Sequence, residues 1–155
     1  MTTTTPETPA EPAAGDAAII HRHALLAAGA GLVPVPFVDF AGTSAIALRM
    51  LRRLAARHGV DFFTEAARSA VTALAGGGAA TLIAFGPARA AALAVPGVGL
   101  VAVMALGSAS AGALVYAIGR VFALHFSLGG SFCDFDPERF REHFAEQLRA
   151  GMRRT

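Results

Sequence analysis

The chain has no tryptophan, no lysine and no asparagine, a single cysteine and a single tyrosine, and only 15% of its 155 residues are charged. Each shortage excludes something. Without lysine, the glycine run Gly76-Gly77-Gly78 cannot be a phosphate-binding loop, because nothing follows it to reach a nucleotide's terminal phosphates. One cysteine, Cys133, rules out an internal disulfide and a cysteine-rich zinc site, and it leaves the redox compartment and its own role open. No G-x-S-x-G or H-E-x-x-H pattern occurs. His21 and His23 stand two apart, which puts their rings on different helix faces and argues against metal binding. The chain therefore reads as non-enzymatic, with no catalytic, cofactor-binding or metal-ligating residue assigned.

Positive charge is modest. Thirteen arginines face eleven carboxylates, for a net charge of +2. A basic stripe interleaved with aromatics is missing, as is any recognisable nucleic-acid module, so nucleic acid is not an expected partner.

What is abundant is apolar. Hydrophobic residues make up 54% of the chain, 36 residues are alanine, and the mean hydropathy is +0.53. Such a composition excludes disorder of the whole chain, and the length suits one domain. Residues 1–16 differ: they hold three of the eight prolines, a threonine run and acidic charge only. They read as a disordered tail rather than a signal peptide, which would need a basic start and an apolar stretch. The expected division is this tail, a helical membrane domain over 17–130, and a C-terminal amphipathic helix and tail over 131–155.

From Ala24 to Leu48 the sole charge is Asp39, and Pro34-Val35-Pro36 interrupts the run. Proline locks φ, removes a donor and restricts the residue before it. Two short helices, about 17–33 and 37–58, are predicted on either side of the bend. The second ends in Arg49, Arg52, Arg53 and Arg57 and stops at Gly59. Thr64 is placed to cap the next helix. Ser69–Ala88 is then 20 residues without a charge, and Ala90–Gly119 is 30. A bilayer crossing needs about 20 apolar residues as a helix. Pro96-Gly97-Val98-Gly99 divides the longer run into a lead-in and a helix of roughly 98–127, closed by Gly129-Gly130.

The last segment is of another kind. Asp136 as N-cap, Pro137 at the first helical position and Glu138 in the first turn open a helix over 137–150. Phe140, Phe144 and Leu148 recur every fourth residue, giving one apolar face, more suited to packing on the domain than on lipid. The expected fold is all-α: a small helical membrane bundle of two Pro-interrupted helical hairpins plus this amphipathic helix. Arginine clusters at 49–57 and 120–154 put both termini on the cytoplasmic side of the membrane. Residues 17–48 then form a re-entrant or shallow pair, and 69–88 with 98–119 a spanning hairpin.

Few polar residues invite a role. Asp39, flanked by Phe37, Val38 and Phe40, reads first as a helix cap at the Pro-x-Pro bend and second as a polar anchor in a pore or hinge. Arg120 and His125 sit where a cation complements a helix C-terminus; an Arg120–Asp39 pair is the sharper alternative. His58 and His143 are expected at the surface. Gly107-Ser108-Ala109-Ser110-Ala111-Gly112 supplies small residues four apart, which let another helix approach closely, within the chain or in a homo-oligomer.

These motifs form a pattern. Leu32-Val33-Pro34-Val35-Pro36 with Asp39, then Met50, Leu54-Ala55 and His58-Gly59, resembles the opening of a bacterial domain of unknown function. That domain occurs in YcjF-type inner-membrane proteins and at the C-terminus of some Era-like GTPases. Pro96-Gly97-Val98-Gly99, Tyr116 with Gly119-Arg120, His125-Phe126, Gly129-Gly130 and Asp134-Phe135-Asp136 agree, over about 21–137. Ala47 departs from it, since the family often carries glutamine there. The resemblance implies a helical, membrane-associated module serving a nucleotide switch, here with a GTPase acting in trans. Two functions follow as expectations: a membrane-embedded interaction module, or a small oligomeric pore or transport component in which Asp39, Ser108 and Ser110 would line water.

Overall fold

The computed structural model describes residues 12–32, 36–75, 91, 94, 97 and 99–154, and all side chains among them except those of residues 36–40 and 100. Pro34 and Pro96, and most of the expected 69–88 helix, fall outside the described residues. Every described element is helical: α1 (Ala14–Ala30), α2 (Pro36–His58), α3 (64–75), α4 (Gly99–Ser127) and α5 (Pro137–Met152).

Local chemistry explains most boundaries. α2 opens on a proline, whose missing N–H would have lacked a helical partner anyway. α2 and α4 end alike. Gly59 and Gly129 take positive φ, 68° and 82°, and the next residue's N–H reaches back five residues, Val60 to the Ala55 carbonyl at 2.9 Å and Gly130 to that of His125 at 3.0 Å. Only glycine adopts that left-handed turn without strain. The Asp136 carboxylate accepts from the Glu138 N–H at 3.0 Å, the cap expected ahead of Pro137.

Two starts differ from the expected ones. α1 begins at Ala14, so its first turn, Asp16 included, belongs to the helix rather than to the tail. α3 begins with the Ala67 N–H donating to the Phe63 carbonyl, which makes Phe63 the flanking residue and Thr64 already helical.

α4 is the axis of the bundle, and α1, α2 and α5 pack on it. α1 runs antiparallel to it: Gly31 lies against Gly107, and Ile20 against Gly119. α2 runs alongside it in the same direction, Met50 beside Gly119 and the His58 ring 6.1 Å from Phe126. α5 returns antiparallel, from Phe140 near His125 to Gly151 near Ala113. The core gathers where all of these meet: Ile20, Met50, Leu51, Leu54, Val115, Ile118, Val121, Phe122 and Phe144 are fully buried, and Ala67 and Leu74 bring in α3. Burying each large side chain contributes about 1.5–3 kcal/mol.

The α5 face of Phe140, Phe144 and Leu148 is buried on α4, so this amphipathic helix packs on the domain. Burial also divides α4. From Ala111 to Phe126 its residues are buried or half-buried, whereas Val101 and Ala105 are exposed and most of their neighbours only half-covered.

Candidate functional site

The two ends of the bundle are chemically opposite. At the base, the first turn of α1 meets the last turn of α2. Asp16, 2% exposed, accepts from Arg57 Nε and from His58 Nε2, both at 2.9 Å. The carboxylate complements the N-terminal dipole of α1, and the two basic groups complement the C-terminal dipole of α2, so one contact ties antiparallel helix ends. His58 is thus a bonded residue packed beside Phe126, not the isolated surface group expected. The sequence contained a signal for Asp16: the buried stripe Ile20, His23, Ala27 extends one turn back to it.

Next to this pair lies an aromatic cluster. Phe122 stacks on Phe135 (4.5 Å between centroids), and Phe135 on Phe140 (5.4 Å). His125 sits edge-on to both Phe135 and Phe140, and its Nε2–H donates to the Ser131 carbonyl at 2.8 Å. At 7% exposed it is part of the core in the last turn of α4, 3.7 Å from the Asp134 carboxylate, and its bond holds the 128–135 loop against the helix. In that loop Asp134 accepts from both the N–H and the hydroxyl of Ser131, at 2.6 Å each, and these bonds hold its carboxyl below the usual range. Burial, reinforced by the Arg120 charge, pushes His143 below the ordinary imidazole value, while Glu146 opposes the shift. With 15% of its side chain exposed, His143 is half-buried rather than the surface group expected.

The other end carries little charge. On α1 beyond His23, on the described part of α3 beyond Arg68 and on α4 before Arg120 there is no charged residue, and on α2 before Arg49 there is only Asp39. Leu25, Leu26, Leu32 and Val101 are exposed there, by 70, 60, 45 and 65%. Part of the small-residue run of α4 packs inside the chain: Gly107 and Ala111 take the end of α1 at Gly31, while Ser108, Ala109 and Ser110 stay half-buried; one turn on, Ala113 takes Gly151 of α5. Gly112 lines a niche of about 60 Å³ with His21, Ala24, Leu25, Tyr116, Gly151 and Arg154.

The remaining predicted site residues do not converge. Pro36 opens α2, which makes Asp39 its fourth residue, one turn inside the helix and past the capping position; its side chain, and so the pairing with Arg120, lies outside the description. Gly97 has φ 84° and is exposed, and Gly99 is the buried first residue of α4. Arg120 is half-buried, and His125 lies at the base, far along α4 from Gly107. His23 turns inward, its Nδ1–H donating to the Ile19 carbonyl at 2.8 Å, while His21 faces out against Tyr116 at 5.7 Å. Among the described residues no three His, Cys, Asp or Glu side chains gather around a common point.

The fold thus defines an all-helical domain with a charge-paired base and an apolar pole in which Asp39 is the one charge among the described residues. Residues 14–150 match the family model described as "Domain of unknown function (DUF697)", and the chain belongs to that family. It is also similar to magnetosome membrane protein 22 of Magnetospirillum gryphiswaldense, with 35% identity over 133 residues, which are 86% of this chain and 68% of that protein. No solved structure matches it.

Proposed function

We propose that this chain is a non-enzymatic membrane module, seated in the bilayer by its apolar pole and displaying its base to water for a partner. The carrying observation is the segregation of charge: the ends of α1, α2, α3 and α4 that gather at one end hold Asp39 as their one charge among the described residues and expose Leu25, Leu26, Leu32 and Val101, while the exposed Phe63 and Leu128 lie at the charged base. Large exposed apolar patches on soluble monomers are unusual and mark interaction surfaces. The name of the M. gryphiswaldense relative, a magnetosome membrane protein, supports the same reading. By length and composition alone, Val101–Ser127 is a described helix able to cross a membrane.

The antiparallel α1 and α2 would enter and leave the apolar layer from the same side, as a re-entrant pair must. Gly99 to Gly112 rises about 20 Å, less than the roughly 30 Å of hydrocarbon. The base, with the N-terminus of α1 and the start of α5, then faces the cytoplasm of a bacterial inner membrane. It is the face available to a GTPase acting in trans.

The test is extraction of native membranes with alkaline carbonate. The protein should stay in the pellet and leave it with detergent. Recovery of most of it in the soluble fraction without detergent would refute the membrane seat.

A further inference from the structure

The apolar pole is bounded by arginine. Arg22 follows Ile20 by two residues and Arg49 precedes Met50, and both Ile20 and Met50 abut Gly119, the residue before Arg120. Arg154 lies with its guanidinium carbon 5.6 Å from the centre of the Tyr116 ring, and Arg153 is its neighbour. Arg68 shares a groove with Leu48. Five helices or their ends thus place arginine at one level, where the charged part of the bundle gives way to the uncharged part. Among the described residues none of these six is ion-paired to a carboxylate; the arginines that are, Arg57 and Arg141, lie toward the base. Glu146, on the nearby stretch of α5, faces His143 instead, at 4.0 Å.

We propose that this band binds the phosphate groups of anionic phospholipids, with the niche of His21, Tyr116 and Arg154 as its best-formed seat. The proposal rests on the membrane reading and specifies the lipid. An arginine fork matches phosphate oxygens two at a time, and guanidinium is more weakly hydrated than ammonium, so it gives up water readily at an interface. Tyrosine is enriched at the same depth of a bilayer. The niche has the polarity of a phospholipid at its glycerol: a cationic and hydroxyl side from Arg154, Tyr116 and His21, and an apolar side from Ala24, Leu25 and Gly112. Its volume of about 60 Å³ admits a few water-sized groups, which suits a headgroup oxygen cluster rather than an acyl chain.

The experiment dilutes the detergent-purified full chain into vesicles and measures the fraction that floats. One set of vesicles is phosphatidylcholine alone; the other is phosphatidylcholine and phosphatidylglycerol in equal parts. The wild type should float preferentially with the anionic set. Arg154→Gln and Arg22→Gln should each lower that partition about fivefold, the ratio corresponding to about 1 kcal/mol per basic residue at an anionic surface. Arg139→Gln makes the same charge change near the start of α5. Tyr116 to His125 is nine residues, about 14 Å along α4, beyond the Debye length of about 8–10 Å, so this variant should partition like the wild type.

Equal flotation of the wild type with both vesicle sets, or equal losses for all three variants, overturns the headgroup assignment and leaves the membrane seat standing. Flotation with neither set overturns the membrane seat itself. Release by sodium phosphate beyond that by sodium chloride of matched ionic strength would make the band a free-anion site and overturn the lipid assignment.

Discussion

Two glycines two residues apart at the end of α1 should respond to alanine in opposite ways. An added Cβ at Gly29 meets nothing within 4 Å, and Gly29 is helical, so Gly29→Ala should gain about 0.5–1 kcal/mol from backbone entropy alone. At Gly31 an added Cβ would lie 2.5 Å from the Gly107 carbonyl oxygen, 2.8 Å from its carbon and 3.0 Å from the Ala111 Cβ. Two of those three atoms are backbone of a helix packed on three others, so α4 cannot yield and the last turn of α1 must retreat. A gap of about 0.5–1 Å forfeits a quarter to a half of each dispersion contact along that seam. Overpacking of this kind costs about 1–3 kcal/mol. Gly31 caps the helix from outside, so it recovers little helix propensity, and a net loss of about 2 kcal/mol is expected. Gly107→Ala meets the Gly31 carbonyl oxygen at 2.7 Å but sits inside α4, where propensity returns part of the loss; about 1 kcal/mol should remain. For a chain of this size each kcal/mol moves the melting temperature by roughly 2–4 °C. Thermal melting followed by circular dichroism in one mild detergent reads all three variants, and scattering gives the particle mass. If Gly31→Ala melts with the wild type or above it, the close seam is wrong. If Gly107→Ala instead changes the mass at an unchanged melting temperature, the small-residue run belongs to an interface between copies.

Two further predictions concern the base. Asp16→Ala removes two charge-assisted bonds from a buried carboxylate, but Arg57 is 48% exposed and regains water, so the loss should be about 2 kcal/mol rather than the 3–5 of a fully buried pair; a melting temperature within about 1 °C of the wild type would show that the pair contributes nothing. His143 binds its proton less tightly folded than unfolded, mainly through burial, so the unfolded state takes up more protons as pH falls below the unperturbed 6.5. The stability it supports is present above that pH and is lost on acidification through the lowered folded value, and His143→Gln should flatten the fall in melting temperature below about pH 6.5, whereas parallel curves would place its effect elsewhere.

What the sequence revealed tracks how local the cause is. The start of α5 is written in Asp136-Pro137-Glu138, its buried face in Phe140, Phe144 and Leu148, and the ends of α2 and α4 in Gly59 and Gly129; each depends on neighbours within a turn. The surroundings of Asp16, His58 and His143 lie beyond the reach of local pattern. Asp16 and His58 find each other 42 residues apart, His143 feels the charge of Arg120 on α4, and polarity alone says only that a partner or water is needed. The stripe through Ile20, His23 and Ala27 shows that a periodic face still points at a buried polar residue when it is extended past the assumed boundary.

The uncharged run on α4 carries the same lesson for hydropathy. A helix is apolar all round either because lipid surrounds it or because other helices do, and a window average cannot separate the two. In the proposed membrane seat the two occur in series along α4. Below Ala111 its side chains are covered by α1, α2 and α5, and on its outer face α5 carries Arg139, Arg141, Glu142 and Arg149 exposed, which water must solvate. Above Ala111 those covers thin out, and Val101 and Ala105 are left bare. The change falls within a few residues of Tyr116 and Arg154, where the arginine band begins. A water-facing helix whose end supplies part of a cationic band, beside an axis that turns bare close by, gives one boundary from two features. That coincidence argues for an interface plane at this level more strongly than the length of the uncharged run does.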